Sequence, residues 1–116
     1  HIAGYSADGK WTATKMSLEN INSFFDMGIH PIKLMEMPQP EDPVIDLSNV
    51  SKEEQAAYAV WHTYTPIGES EKLKAEPDKF TWFRANYPLR REYHAYGVTN
   101  ANEEIEPLLK ELGFNL

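Results

Sequence analysis

The clearest structural signal in this sequence is the stretch SKEEQAAYAVWHTY, residues 51–64. It opens with Ser51 and carries Glu54 three positions later, which is the spacing of a capping box at the start of a helix. The residues that follow favour helices, and the apolar side chains recur at spacings of three and four. We therefore predict a helix that runs to about Tyr64 and ends at Pro66.

Toward the C-terminus, the pattern predicts further helices. Segment 68–88 has aromatic residues at helical spacing and ends in a proline. A short helix is also expected within 89–96. The last helix is predicted to begin at about Thr99 or Asn102, and Gly113 is placed to end it in a left-handed conformation.

Toward the N-terminus, a first helix is predicted over residues 17–28, with Ser17 as its cap and Gly28 as its stop. The polar residues 1–16 are assigned to an N-terminal arm or a small β-hairpin, because the Asp-Gly pair there is a favoured hairpin corner. Residues 32–37 fit a strand and a short helix equally well.

A proline-rich acidic connector occupies residues 38–43, where three prolines surround Glu41 and Asp42. Proline lacks the N–H that a helix or a sheet needs, so this segment marks a boundary. The predicted organisation is an arm or hairpin at 1–16 and a single helical domain at 17–116. The fold class is mainly α, with four or five short helices, long proline-rich connectors and, as an option, a small N-terminal β-hairpin.

Composition excludes several classes of protein. Lys and Arg number 11 against 18 Asp and Glu, a net charge of −7, which argues against a general nucleic-acid binder. No apolar run is long enough to span a bilayer, so no membrane partner is expected. There is no cysteine, which removes thiolate nucleophiles, disulfides and Cys-ligated metals. We expect a soluble domain, and the opening His1 suggests a chain processed, trimmed or cut from something longer.

No complete catalytic motif is present. The six glycines are scattered and form no phosphate-binding loop, and there is no Gly-x-Ser-x-Gly nucleophile elbow. The histidines His30, His62 and His94 lack the spacing of a metal-binding pair. Neighbouring acids such as Glu53 and Glu54 do not face each other on a helix. We therefore predict no catalytic residue, no cofactor and no metal site within this chain.

One segment has an unusual composition: residues 79–96, which we call the aromatic–Arg segment. Its local charge is +3 in a chain of −7. Arg beside Tyr and Trp is enriched at protein interfaces, and Arg also binds anions. Three interpretations remain open: a core helix whose arginines reach water, a protein interface, and a site for a small anion. The candidate interface or ligand-binding residues are Trp82, Phe83, Arg84, Tyr87, Arg90, Arg91, Tyr93 and His94.

Two short stretches resemble known families. Residues 28–35 resemble a Gly-x-His/Asn-Pro-x-x-Leu segment in the small helical subunit of protocatechuate 4,5-dioxygenases, and residues 51–57 are similar to another helix start there, in an order that one alignment does not allow. Residues 77–83 with Tyr87 and Pro88 resemble a segment in large subunits of bacterial multicomponent monooxygenases, whose di-iron ligands this sequence lacks. Both resemblances imply one chain of a larger oxidative enzyme.

Two functional hypotheses follow. In the first, the chain is a non-catalytic subunit or accessory domain of a larger, oxidative enzyme assembly, and its aromatic–Arg segment docks onto another protein chain. In the alternative, it is a small enzyme or binding domain for an anionic small molecule, held by Arg84, Arg90 and Arg91. His94 would then be the acid–base group, since only His titrates near neutral pH without perturbation.

Overall fold

The structure is a computed structural model, and it describes residues 5–29 and 36–116. The fold is mainly α, as predicted: 56% of it is helical, in five helices, with one small parallel sheet of two strands within the described ranges. The helices are α1 (Ala7–Phe24), α2 (Gln55–Thr63), α3 (Ile67–Ala75), α4 (Phe80–Ala85) and α5 (Glu106–Leu112), and the strands are β1 (Val44–Asp46) and β2 (Gly97–Thr99).

The core joins the sheet to α2 and α5. The strands pair in parallel, with Ile45 opposite Val98, and the last residues of the chain extend the sheet through a bridge from Asn115 to Gly97. A parallel pair of strands is stable only when helices cover it. The buried apolar cluster consists of Ile45, Leu47, Ala59, Tyr96, Val98, Leu109 and Phe114.

The predicted helix at the centre of the chain is confirmed, with a 3-10 turn at Lys52–Glu54 before α2. The Ser51 hydroxyl donates to the Glu54 carboxylate at 2.6 Å and so does not cap a backbone N–H. The buried Gln55 side chain instead connects the start of α2 to the segments around Val50 and Asn102. Its amide nitrogen lies 3.3 Å from the carbonyl of Val50, and its oxygen accepts from the N–H of Asn102 at 2.8 Å.

The C-terminal helix is also confirmed, although it begins later than predicted, at Glu106. Residues 102–105 form a turn instead. The helix ends at Gly113, whose φ is +101°, and the N–H of Phe114 donates to the carbonyl of Leu109 at 3.0 Å. This ending turns the chain so that Phe114 enters the core.

The short helix expected within 89–96 is present only in part, as a 3-10 turn at Tyr93–Ala95. The backbone before this turn hydrogen-bonds to the N-terminal part of the chain. The N–H of Ala7 donates to the carbonyl of Arg90 at 2.9 Å, and the N–H of Glu92 donates to the Asp8 carboxylate at 2.8 Å. These long-range bonds replace the local ones that a helix needs.

The prediction of an optional N-terminal hairpin is wrong, because α1 begins at Ala7 and runs through the region assigned to the arm or hairpin. The cap is Ser6, whose hydroxyl accepts from the N–H of Gly9 at 2.9 Å. Ser17, the predicted cap, lies inside the helix and donates to the carbonyl of Ala13. The Ser6 cap and the bonds that Asp8 makes outside the helix outweigh the turn preference of Asp-Gly.

α1 ends at Phe24, before the predicted stop at Gly28, although Gly28 does take a positive φ of +63°. The Asn22 side chain pairs with both the N–H and the carbonyl of Ile29, each at 3.0 Å. Most of the segment 32–37, predicted as strand or helix, lies outside the described residues. The connector at 38–43 contains no helix or strand, in agreement with its prolines.

The molecule is thin and extended, with dimensions of 53 × 43 × 19 Å. Its radius of gyration is 17.8 Å, against about 13 Å for a compact chain of this length. Much of α1 and the whole of α3 and α4 lie outside the core, and many of their apolar side chains are exposed. Within the residues that the structure covers, no helix has the length and apolar character needed to cross a membrane.

Candidate docking surface

The structure divides the aromatic–Arg segment into two parts. Trp82, Phe83 and Arg84 lie on α4, which forms with α3 a helical hairpin over residues 67–85. We call this unit the α3–α4 hairpin. Arg90, Arg91, Tyr93 and His94 lie beyond it, next to the core and the start of α1, and Tyr87 lies between the two parts. The eight candidate residues therefore do not form one site.

The α3–α4 hairpin carries an apolar groove of about 390 Å³ between its two helices. Leu73, Phe80 and Phe83 line the groove with the charged Glu69 and Arg84, and residues outside the hairpin complete the lining: Tyr5, Pro66 and Tyr87. Neither helix has a buried residue, and Phe80 keeps 55% of its surface exposed. A groove of this composition accepts an apolar side chain from another molecule.

Trp82 lies outside this groove and is 58% exposed. It borders a second hollow, of about 700 Å³, with Thr81 and Asn86. Its ring meets that of Phe83 edge to face, with 5.6 Å between the centroids. The hairpin therefore offers aromatic surface on more than one side.

A cluster of hydroxyl and carboxyl groups attaches the hairpin to the rest of the molecule. Tyr64, just after α2, donates to the Glu69 carboxylate at 2.8 Å, and Tyr87 donates to the same oxygen. Burial raises the pKa of Tyr87, and the hydrogen bond that it donates to Glu69 raises the pKa further. Both tyrosine hydroxyls stay protonated and act as donors. The hairpin is therefore attached to the rest of the molecule by a small set of polar contacts. Tyr5 adds an edge-to-face contact with Tyr87 at 5.7 Å.

Arg91 is occupied by an ion pair. Its Nε and Nη2 donate to the two carboxylate oxygens of Asp8 at 2.9 and 3.1 Å, and its Nη1 donates to the carbonyl of Pro38. Burial raises the pKa of Asp8, but hydrogen bonds from Arg91 and from the N–H of Glu92, with the charges of Arg91 and His94, outweigh it and hold the pKa below its usual value. Arg91 is thus neutralised within the chain.

The other candidates of this part also contact groups of the chain itself. The guanidinium of Arg90 lies 4.4 Å above the ring of Tyr64, a cation–π contact. Tyr93 stacks on Phe114 at 4.7 Å between centroids, which makes it part of the core's edge. His94 places Nε2 3.3 Å from the Asp8 carboxylate.

The three arginines contact different partners, since the Nε of Arg84 donates to the Tyr5 hydroxyl at 3.2 Å. Two hollows contain several of the candidates: one of about 550 Å³ with Arg91 and His94, and one of about 490 Å³ with Arg90, Arg91 and Tyr93. Carboxylates line both hollows, Asp8 in the first and Glu92 in the second. Over the described ranges, no three His, Asp or Glu side chains are grouped so that they could hold a metal.

Two parts of this surface were not among the predicted site residues. Phe80 and Leu73 line the groove; the signal for Leu73 was an apolar residue on a mainly polar helix, and the signal for Phe80 was its helical spacing to Phe83. Asp8 was interpreted as a turn residue, and no local pattern indicates its partner, because Arg91 lies 83 positions away.

Comparison with known proteins identifies the class of domain. The chain belongs to a family described as a domain of unknown function, DUF3410, whose model matches residues 37–113. This is neither of the families that the two short stretches resemble.

The relatives are erythronate-4-phosphate dehydrogenases. The protein of Bacteroides thetaiotaomicron is 43% identical over 98 residues, which cover 84% of this chain and 26% of that protein. The protein of Porphyromonas gingivalis is 35% identical over 114 residues, covering 98% and 31%, and that of Pseudoalteromonas atlantica is 31% identical over 121 residues, covering 99% and 32%. The chain therefore spans about a quarter to a third of these relatives' length and corresponds to one part of a larger dehydrogenase.

Proposed function

We propose that the family region, residues 37–113, is a non-catalytic accessory part of an erythronate-4-phosphate dehydrogenase and that its α3–α4 hairpin docks onto another protein chain. The relatives' names and lengths support the first half of this proposal. The hairpin supports the second half, because it is a part of the family region that the core does not bury.

The observation that carries the docking proposal is that the two short helices of the hairpin stay exposed. Its helices have nine and six residues, and neither buries a side chain. Isolated helices shorter than about 12 residues are marginal in water, so tertiary or intermolecular packing must supply the stability. Covering the exposed surface of Phe80 and of Trp82 contributes about 1 kcal/mol or more each.

The surroundings of the groove favour a protein partner. The lining of the groove combines apolar residues with one charge of each sign, Glu69 and Arg84, and this mixture is typical of a small protein interface. A small anion is a poorer fit, since Asp8 neutralises Arg91 and the three arginines lie against three different groups instead of converging on one site.

Sedimentation velocity of the full-length enzyme tests this proposal. Phe80→Asp and Trp82→Asp place charges on the docking surface, and we expect each to release the partner chain and lower the sedimenting mass. Glu71→Lys is the control, because position 71 lies on α3 away from the groove-lining residues. We expect this variant to keep the wild-type mass.

A milder variant separates lost docking from lost folding. Leu73→Ala removes groove-lining apolar surface without adding a charge, and we expect it to weaken association about tenfold, with unchanged circular dichroism. Wild-type mass and wild-type dissociation constants in all three variants would show that the hairpin is not the docking surface.

A further inference from the structure

The part of α1 beyond its first turns is a second apolar surface, separate from the hairpin. At 100° per residue, Leu18 and Ile21 lie on one side of this helix and Ser23 lies on the other, while Phe25 is the residue that caps the C-terminal end. The three apolar residues are all exposed, Phe25 by 67%. The side that carries Ser23 is mainly polar, with Met16 as its exposed apolar residue, and the apolar side of such a helix is expected to pack against another element.

The other end of α1 is fixed to the core region. Ser6 is fully buried, and the N–H of Ala7 donates to the carbonyl of Arg90 at 2.9 Å. Asp8, one residue further on, forms the ion pair with Arg91. The helix is therefore held at its start, and its last three turns extend away without cover from the described part of the chain.

The family boundary and the relatives' alignments indicate what covers this surface. The DUF3410 model begins at residue 37, after α1. The Porphyromonas and Pseudoalteromonas alignments cover 98% and 99% of this chain, and so they include α1. α1 thus belongs to the dehydrogenase but not to the accessory family region. This chain makes up only 31% and 32% of those two proteins.

We propose that the apolar side of α1, formed by Leu18 and Ile21 with Phe25 at the C-terminal end, packs against the remainder of the same dehydrogenase chain. The proposal rests on the proposed function in one respect, that this chain is a part of such an enzyme. α1 then joins the accessory region to the rest of the enzyme. Its apolar side packs against the rest of the enzyme, and the Asp8–Arg91 ion pair fixes its start to the accessory region. The orientation of the hairpin relative to the rest of the enzyme follows from this helix.

Thiol accessibility in the full-length enzyme tests the proposal. This chain has no cysteine of its own, so an introduced thiol is unique within it. Ile21→Cys places the thiol on the apolar side, and Ser23→Cys, a nearly isosteric change two residues away, places it on the polar side. The rate of maleimide labelling is read for each site from the mass of the labelled α1 peptide.

We expect the thiol at position 21 to react at least about tenfold more slowly than the thiol at position 23 in the native enzyme. In guanidinium chloride the two should react at equal rates, because unfolding exposes both. Leu18→Cys repeats the measurement one turn earlier and should also be protected. This second site keeps the test informative if one variant folds poorly.

Two outcomes would overturn the proposal, and one would support it. Equal native rates at positions 21 and 23 would show that the apolar side of α1 is bare and overturn it. Protection that disappears on dilution would mean that a second copy covers the helix, and this too would overturn the assignment. Protection that is independent of concentration supports it. Phe80→Asp with an unchanged mass contradicts only the docking of the hairpin, so the two proposals fail separately.

Discussion

Arg91 and Asp8 form a two-point ion pair between residues 83 positions apart in the chain. Both side chains are largely buried, at 9% and 12% exposed. The pair joins the start of α1 to the segment that leads into β2, and the N–H of Glu92 adds a third hydrogen bond to the same carboxylate. It is the main polar connection between α1 and the family region among the described residues.

Breaking this pair should destabilise the chain strongly. Asp8→Asn leaves the Arg91 charge without its partner, and we expect the free energy of unfolding to fall by about 2–3 kcal/mol. Glu19→Gln breaks the exposed pair of Lys15 and Glu19 and serves as the control, with an expected loss below about 0.5 kcal/mol. Urea unfolding measures both. A similar small loss in the two variants would show that the buried pair contributes little.

The same carboxylate predicts how stability depends on pH. The pKa of Asp8 is lower in the folded chain than its ordinary value of 3.8. Its contribution is therefore fully present above pH 3.8 and is lost as the pH falls through the lowered folded value. Thermal unfolding between neutral pH and about pH 2 should show this loss in the wild type and a smaller one in Asp8→Asn. Parallel curves for the two proteins would contradict the assignment.

The hydroxyl of Tyr87 should control how firmly the hairpin is attached. Tyr87→Phe removes one of the two donors to Glu69, at a cost of about 1–2 kcal/mol. We expect trypsin to cleave at Lys72, Lys74 or Lys79 about fivefold faster or more in this variant, because the hairpin opens more often. Tyr58→Phe, an exposed tyrosine of α2, is the matched control. Equal cleavage rates would mean that the tyrosine–glutamate cluster does not hold the hairpin.

Two glycines should respond in opposite ways to alanine. Gly113 has a φ of +101°, where a side chain is strained, and Gly113→Ala should cost about 1–2 kcal/mol. Gly68 lies in α3 with open space around its Cα, and Gly68→Ala should stabilise the chain by about 0.5–1 kcal/mol. The change in urea midpoint measures each. A stabilising Gly113→Ala would show that the left-handed ending of α5 is dispensable.

Elements that depend on near neighbours were predictable from the sequence. The helix after Ser51, the proline connector at 38–43 and the ending at Gly113 all follow from residues a few positions apart. The membership of a larger enzyme was also predicted, and the relatives bear it out at that level. The docking role of the aromatic–Arg segment and its site residues stay predictions.

Contacts between distant segments were not predictable in this way. Ala7, Asp8 and Gly9 have the composition of a hairpin corner, yet they form the first turn of α1 because Asp8 meets Arg91. The groups that join the hairpin to α2 are similarly far apart, since Tyr64 and Tyr87 are 23 positions apart. Local composition singled out Tyr87 and Arg91 as candidate site residues, but no local pattern indicates Tyr64 or Asp8 as their partners.

Local sequence was therefore sufficient for the helical class and for where several helices stop, because caps, prolines and glycines act on backbone angles and hydrogen bonds within a few residues. The tertiary structure decided which groups the arginines contact and that Val44–Asp46 pairs with Gly97–Thr99. It also decided which apolar surfaces remain exposed to solvent. These depend on segments meeting in space, and an ion pair or a parallel strand pair exists only once the chain between them has folded.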